Sequence, residues 1–162
     1  MTERVSPIQI LQLTPDDWVA YREIRLAALT ESPSAFGSTL AKSQHYTEEV
    51  WRSRLTTATT FAAERDGRLI GIASGLPTAM ECTAALIGMW VAPDARRQGI
   101  GEALVRRVIA WTEDQGFSHI ELEVTIGNHQ AEQLYERCGF ARTGVEKSDG
   151  GGHITFTMEL RL

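Results

Sequence analysis

Arg96-Arg97-Gln98-Gly99-Ile100-Gly101 is the run of residues in this chain best suited to chemistry. It falls between an almost wholly apolar stretch and an amphipathic one, so it connects a buried strand to the start of a helix. Unpaired backbone N–H groups and the positive end of a helix dipole converge at such a junction, which suits a pyrophosphate. The glycines let a ligand come close to the backbone, and Arg96 and Arg97 offer charge-assisted contacts to phosphate. Two well-known phosphate motifs fail on the letters. A Walker loop needs Gly-Lys-Ser/Thr, which is absent, and a Rossmann fingerprint needs Gly or Ala three positions after Gly101, where Leu104 stands. A tight turn with solvated arginines is the plain alternative for the same letters.

Other chemistries find less support. Cys82 and Cys138 form no CxxC and suggest neither a disulfide framework nor a zinc site; His45, His119, His129 and His153 are scattered and make no HExxH. Metal catalysis is therefore disfavoured, and a reducing cytoplasm is the expected compartment. The opening MTERVSPIQILQL lacks a basic flank followed by an apolar run, and nowhere do about 18 apolar residues follow one another, which disfavours secretion and membrane spanning. A formal charge of −5 carries no nucleic-acid footprint and favours the approach of cationic amines.

The elements that must position the Arg96–Gly101 run can be read from periodicity. The chain has 162 residues, 43% of them hydrophobic, and no repeat or long linker, so residues 1–162 are expected to form one domain. Ile8 to Leu13 alternates as a strand. Thr14-Pro15-Asp16-Asp17 then opens a helix running to Ala28 or Leu29. Ser32 to Gly37 reads as a loop, and Thr47-Glu48-Glu49 as a second helix start. Phe61–Glu64 and Leu69–Ser74 flank Asp66-Gly67, a two-residue hairpin turn. Ala84 to Val91 is apolar enough for a central strand covered on both faces. Ile100, Leu104, Val108 and Trp111 mark one face of a helix ending near Gly116. His119 to Ile126 alternates as a strand, Asn128 caps a helix through Arg137 that Gly139 stops, and two strands flank the Gly150 loop. The order is βαα-βββ-α-β-α-ββ, a mixed α/β fold with a mostly antiparallel sheet flanked by helices.

With these elements in place the chain resembles the GCN5-related N-acetyltransferase (GNAT) family, whose Arg/Gln-x-x-Gly-x-Gly/Ala motif is matched by Arg96 to Gly101. Val91-Ala92-Pro93, Glu102-Ala103-Leu104 and the block from Asn128 to Phe140 are also similar to the family; Pro33 to Arg54 matches only loosely. The resemblance implies acetyl-CoA as acyl donor, no metal, and an amine-bearing small molecule, peptide or protein as acceptor. It implies that the backbone of Arg97, Gln98, Gly99, Ile100, Gly101 and Glu102 holds the pyrophosphate, with Arg96 beside it. Met89, Trp90 and Val91 would pair with the pantetheine as an added strand does, because family members splay the strands that here hold Val91 and Val124. The Met89 amide would then donate to the thioester oxygen. Asn128 and Ala131 would meet the pantetheine arm, and Tyr135 would protonate the departing thiolate.

Each role has a plainer counterpart. Tyr135 also suits packing on Phe140, although the acid role is preferred, and Asn128 can cap its helix while touching cofactor. Histone-type members carry a glutamate four positions before the amide donor, where this chain has Ala85. Glu123, Glu81 and Glu23 are substitutes for that base, Glu123 reading more simply as solvated surface, and deprotonation through ordered water is the simplest mechanism. Cys138 reads as an inert buried thiol rather than an acyl carrier; Phe36 and Trp51 fall in the segment that often lines the acceptor pocket in the family, but read more simply as core. A coenzyme A-binding sensor without turnover is the alternative of another class, an unrelated nucleotide-binding fold is a third, and the terminal strands leave room for a homodimer.

Overall fold

A computed structural model describes residues 4–36 and 39–162; Gly37, the end of the expected Ser32–Gly37 loop, lies outside them. The chain runs β1 (Gln9–Gln12), α1 (Trp18–Glu31), α2 (Leu40–Ser43), α3 (Glu48–Thr57), β2 (Thr59–Arg65), β3 (Arg68–Pro77), β4 (Thr83–Val91), α4 (Ile100–Asp114), β5 (His119–Thr125), α5 (His129–Arg137), β6 (Ala141–Ser148) and β7 (Ile154–Arg161). This is the order expected from the sequence, with the single turn α2 added. Local signals act as they should. Thr14 and Asp17 form a reciprocal capping box, Thr47 caps α3 by accepting from the Val50 N–H, and Asp66 and Gly67 both take positive φ in the β2–β3 turn. Among the described residues no helix is long and apolar enough to cross a membrane.

The strands form one seven-stranded sheet in the order β1-β2-β3-β4-β5-β7-β6. Every neighbouring pair is antiparallel except β4–β5, which is parallel. That parallel pairing is brief: Thr83 meets His119, Ala84 meets Ile120 and Ala85 meets Glu121, and there the ladder ends. Beyond this point β4 and β5 diverge with their facing backbone unpaired. A bulge in β4 accompanies the divergence, because Ser74 pairs with Ile87 and Ile72 with Trp90, leaving Gly88 and Met89 opposite Ala73 alone. Gly88 takes φ 64° there, a conformation that suits glycine.

Helix α4 packs on one face, where Ile100, Leu104, Val108 and Trp111 close on Gly71 and Gly75 of β3. On the opposite face α1 brings Arg25 against Gly88. Strand β5 alternates accordingly: Ile120, Leu122 and Val124 are buried, whereas Glu121, Glu123 and Thr125 face the α1 side, where the Thr125 hydroxyl donates to the Ser34 carbonyl at 3.4 Å. The expectation that β4 is covered on both faces is corrected by this geometry. Its first half is buried, but Ile87 is 43% exposed and Met89 and Val91 only half-buried, because the strand beside them has swung away.

Candidate active site

A cleft of about 1500 Å³ follows the divergence of β4 and β5, larger than the ~300–1,000 Å³ of ordinary small-molecule pockets. At one end stand Arg97, Gly99, Ile100, Gly101 and Glu102. The chain enters α4 through two left-handed residues, Arg97 (φ 61°) and Gly99 (φ 78°), and no side chain caps the helix. Its first internal bond runs from the Ala103 N–H to the Gly99 carbonyl at 3.1 Å, so the amides of Ile100, Gly101 and Glu102 precede the ladder and have no helical acceptor. The two glycines differ in purpose. Gly99 has open space around it and is required by its positive φ; a Cβ at Gly101 would come 3.1 Å from Met89 Cε and 3.2 Å from Leu134 Cδ2, so its bareness seats α4 against β4 and α5.

The flanking side chains divide. Arg97 faces the cleft, while Gln98 does not line it: its Oε1 accepts from Arg65 at 2.6 Å and its Nε2 donates to the Asp94 carbonyl at 3.4 Å. Arg96 borders the cleft, yet its guanidinium is engaged within the chain, donating to Glu31 at 2.9 Å and to the Val91 carbonyl at 3.0 Å. Glu31 Oε2 also accepts from Trp90 Nε1 at 2.9 Å and from the Ser32 hydroxyl. The Arg96 guanidinium, then Ser32 and Trp90, hold the Glu31 carboxyl down at about 2.

Met89, Trp90 and Val91 form the β4 side of the divergence, with the Trp90 ring 8% exposed and pinned by Glu31. Asn128, Ala131 and Tyr135 face them from α5. Asn128 Oδ1 accepts the Ala131 N–H at 3.3 Å, which caps α5 and leaves the carboxamide NH₂ free of that duty. Tyr135 is 6% exposed and meets Phe140 edge-on at 5.9 Å, so it is a packing residue and a cleft residue at once. Burial pushes its phenol well above the ordinary tyrosine range, with Cys138 adding to the effect.

A family model described as the acetyltransferase (GNAT) family matches residues 18–140, which contain both sides of this cleft. The chain belongs to the GNAT family. It is 35% identical to human N-acetyltransferase 8 over 88 residues, 52% of this chain and 39% of that protein. It is 34% identical to the streptothricin acetyltransferase of Streptomyces lavendulae over 90 residues, 56% of this chain and 48% of that one. The chain thus spans less than half the length of either relative. Among solved structures, a GNAT-family acetyltransferase of Streptococcus pneumoniae superposes with a TM-score of 0.83 at 18% identity, covering 96% of this chain and 99% of that one. The yncA protein of Salmonella typhimurium, solved with its cofactor acetyl-CoA, gives 0.77 at 19%, covering 97% and 95%. These two likenesses establish the fold.

The remaining wall of this GNAT cleft lies on the α1 face of the sheet and holds residues that the letters alone did not single out. Glu121, half-buried, lines the cleft beside Ala85, its partner in the β4–β5 register. A carboxylate on the neighbouring strand therefore stands next to the position where the sequence lacks one. Glu123 shares that face and bonds Lys147 at 2.6 Å, whereas Glu23 and Glu81 are exposed and line no part of the cleft. Phe36 packs against the edge of the core and also lines the cleft under Arg25; Trp51, 1% exposed between Tyr21 and Tyr46, is core. Cys138 is buried outside the cleft with its thiol pushed up by burial, which suits an inert group. Arg25 and Arg54 also line this wall. A buried arginine on an amphipathic helix looks on paper like any surface cation.

Proposed function

We propose that this chain transfers an acetyl group from acetyl-CoA to a primary amine by direct attack of the amine on the bound thioester. The observation that carries the reading is one cleft holding both the uncapped start of α4 and the unpaired backbone where β4 and β5 diverge. The first suits a pyrophosphate; the second suits an extended, amide-bearing arm that pairs as an added strand. Family membership adds weight, and acetyl-CoA supplies the activated acyl thioester when bound.

In this reading the amides of Ile100, Gly101 and Glu102, preceded by those of Arg97, Gln98 and Gly99, hold the pyrophosphate, and Arg97 adds charge to it. Arg96 acts differently from a phosphate ligand, fixing the loop to α1 through Glu31. Met89, freed from the β3 ladder by the bulge, directs its N–H at the carbonyl oxygen on which charge develops. Val91 and the backbone of Trp90 continue the pairing. Asn128 and Ala131 bound the arm from α5. Tyr135, kept neutral by burial, holds its proton at Oη and gives it to the departing sulfur. Glu121 takes the proton of the incoming ammonium, directly or through a water, from the strand beside Ala85.

Release of free thiol from acetyl-CoA across a panel of primary amines tests the proposal. Turnover on any member that depends on Tyr135 supports it. Calorimetric binding of coenzyme A with no turnover on the whole panel would instead support a binding module, and preferential binding of ATP or NAD would remove the acyl-transfer reading altogether.

A further inference from the structure

Arg25 is a charged side chain on α1 that the fold buries, with 6% of its surface exposed. Its guanidinium stacks on the Phe36 ring at 5.0 Å and abuts the β4 bulge, 3.4 Å from where a Cβ at Gly88 would stand. Its Nε has no hydrogen-bond partner among the described residues. Arg54 on α3 repeats the pattern, with a buried Nε lacking a partner and the guanidinium 5.7 Å from the Tyr46 ring centre. The titratable groups that act on Arg25 are Tyr21, Arg54 and Tyr46; no carboxylate is among them. Every ion pair of the described residues involves other cations, namely Arg52, Arg68, Arg96, Arg106, Arg142 and Lys147.

Burying one guanidinium without a counter-charge is unfavourable, and placing a second beside it is more so. Burial disfavours the charged form of Arg25, and Arg54 adds to that effect. Such an arrangement is explained if an anion completes it. Both arginines line the cleft on the face that carries Ala85, Ile87 and Glu121, beside the bulge that presents Met89. A guanidinium fork matches a carboxylate in two parallel hydrogen bonds. Glu121 lies on β5, across the divergence, and suits an ammonium group.

We infer that Arg25, assisted by Arg54, binds a carboxylate carried by the acceptor, so that the acceptor is a free amino acid or a similarly small amino carboxylate. This rests on the acyl-transfer reading for the fate of the amine, but not for the anion site itself. It qualifies the expectation that the net acidic charge favours the approach of cationic amines: the local field beside Arg25 and Arg54 is positive where the whole-chain charge is negative.

The twenty L-amino acids and their amides, which differ only in the carboxylate, provide the test in two measurements. Thiol release compares kcat/KM for each pair, and calorimetry compares binding of the N-acetyl amino acids with their amides to the protein saturated with coenzyme A, which needs no turnover. At least one acid should exceed its amide by about 100-fold, the scale of a buried charge pair. Arg25→Met, which keeps the stem on Phe36, should abolish the preference without lowering Tm, and Arg25→Lys should restore part of it. Turnover without a carboxylate preference overturns this inference and leaves the transferase standing. A carboxylate preference in binding without turnover supports the anion site and overturns the transferase. Failure of every acid to bind, or a preference that survives Arg25→Met, overturns the inference.

Discussion

Glu31→Gln is the substitution whose cost follows most directly from the structure. Three donors from separate segments converge on Glu31 Oε2: Arg96 in the loop before α4, Trp90 on β4, and Ser32 just past the end of α1. They hold the carboxyl at about 2 against an ordinary 4.5. At roughly 1.4 kcal/mol per pH unit this sets an upper limit of about 3.5 kcal/mol. The Glu31 side chain is 34% exposed and that of Arg96 39%, so solvent screening reduces the expected contribution to about 1 kcal/mol. Glutamine keeps the size and one acceptor oxygen but loses the charge. Tm at pH 7 should therefore fall by about 2–4 °C, the equivalent of about 1 kcal/mol in a chain of this length. The sign with pH is fixed by the depressed carboxyl. Its contribution is complete above the unfolded value near 4.5 and disappears as pH falls toward about 2, so thermal scans of wild type and variant should differ constantly from pH 8 to 5 and converge below that. The KM for acetyl-CoA should rise in the variant, because the loop loses its tether to α1. Equal Tm values at pH 7, or a gap that persists unchanged to pH 3, would refute the reasoning.

Three other substitutions address the chemistry. Tyr135→Phe keeps the edge-on contact with Phe140 and removes only the hydroxyl, so kcat should fall by about 100-fold or more with coenzyme A affinity and Tm nearly unchanged; full activity across the pH profile would take Tyr135 out of the mechanism. Glu121→Gln should lower kcat by a similar ~100-fold, whereas Glu123→Gln, whose carboxylate is held by Lys147, should leave kcat nearly unchanged. Gly99→Val places a β-branched side chain at φ 78°, with a backbone cost of about 1–2 kcal/mol. Its effect should appear as weaker coenzyme A binding by calorimetry with kcat at saturation less affected.

Much of the fold was legible because its signals are local. The capping box at Thr14, the Asp66-Gly67 turn, the α4 stripe and the Asn128 cap each act within a few residues, and each appears where the letters place it. What escaped depends on register. The apolar composition of Ala84 to Val91 indicates a central strand, but not that the neighbouring strand leaves it after Ala85 or that Gly88 and Met89 bulge. Glu121 was hidden for the same reason: alternation gives its face, and only the parallel register places it beside Ala85. Arg96 and Arg97 are adjacent identical letters with different duties, because Glu31, 65 residues earlier, claims one of them. Arg25 carries no local signal, because no helical period reveals which charged residue faces a cleft in the sheet.

The short β4–β5 ladder has a mechanical consequence. Three residue pairs join a leaf made of β1 to β4 to a leaf made of β5, β7 and β6, so the sheet behaves as two panels sharing a seam. An elongated ligand lying in the seam engages both panels and supplies the cross-bonding that the polypeptide omits, contributing to stability through its own binding free energy. If the acyl donor lies there as proposed, its reactive end would be held by the same bonds that close the sheet, so that seating the donor and stiffening the frame around the acceptor would be one event.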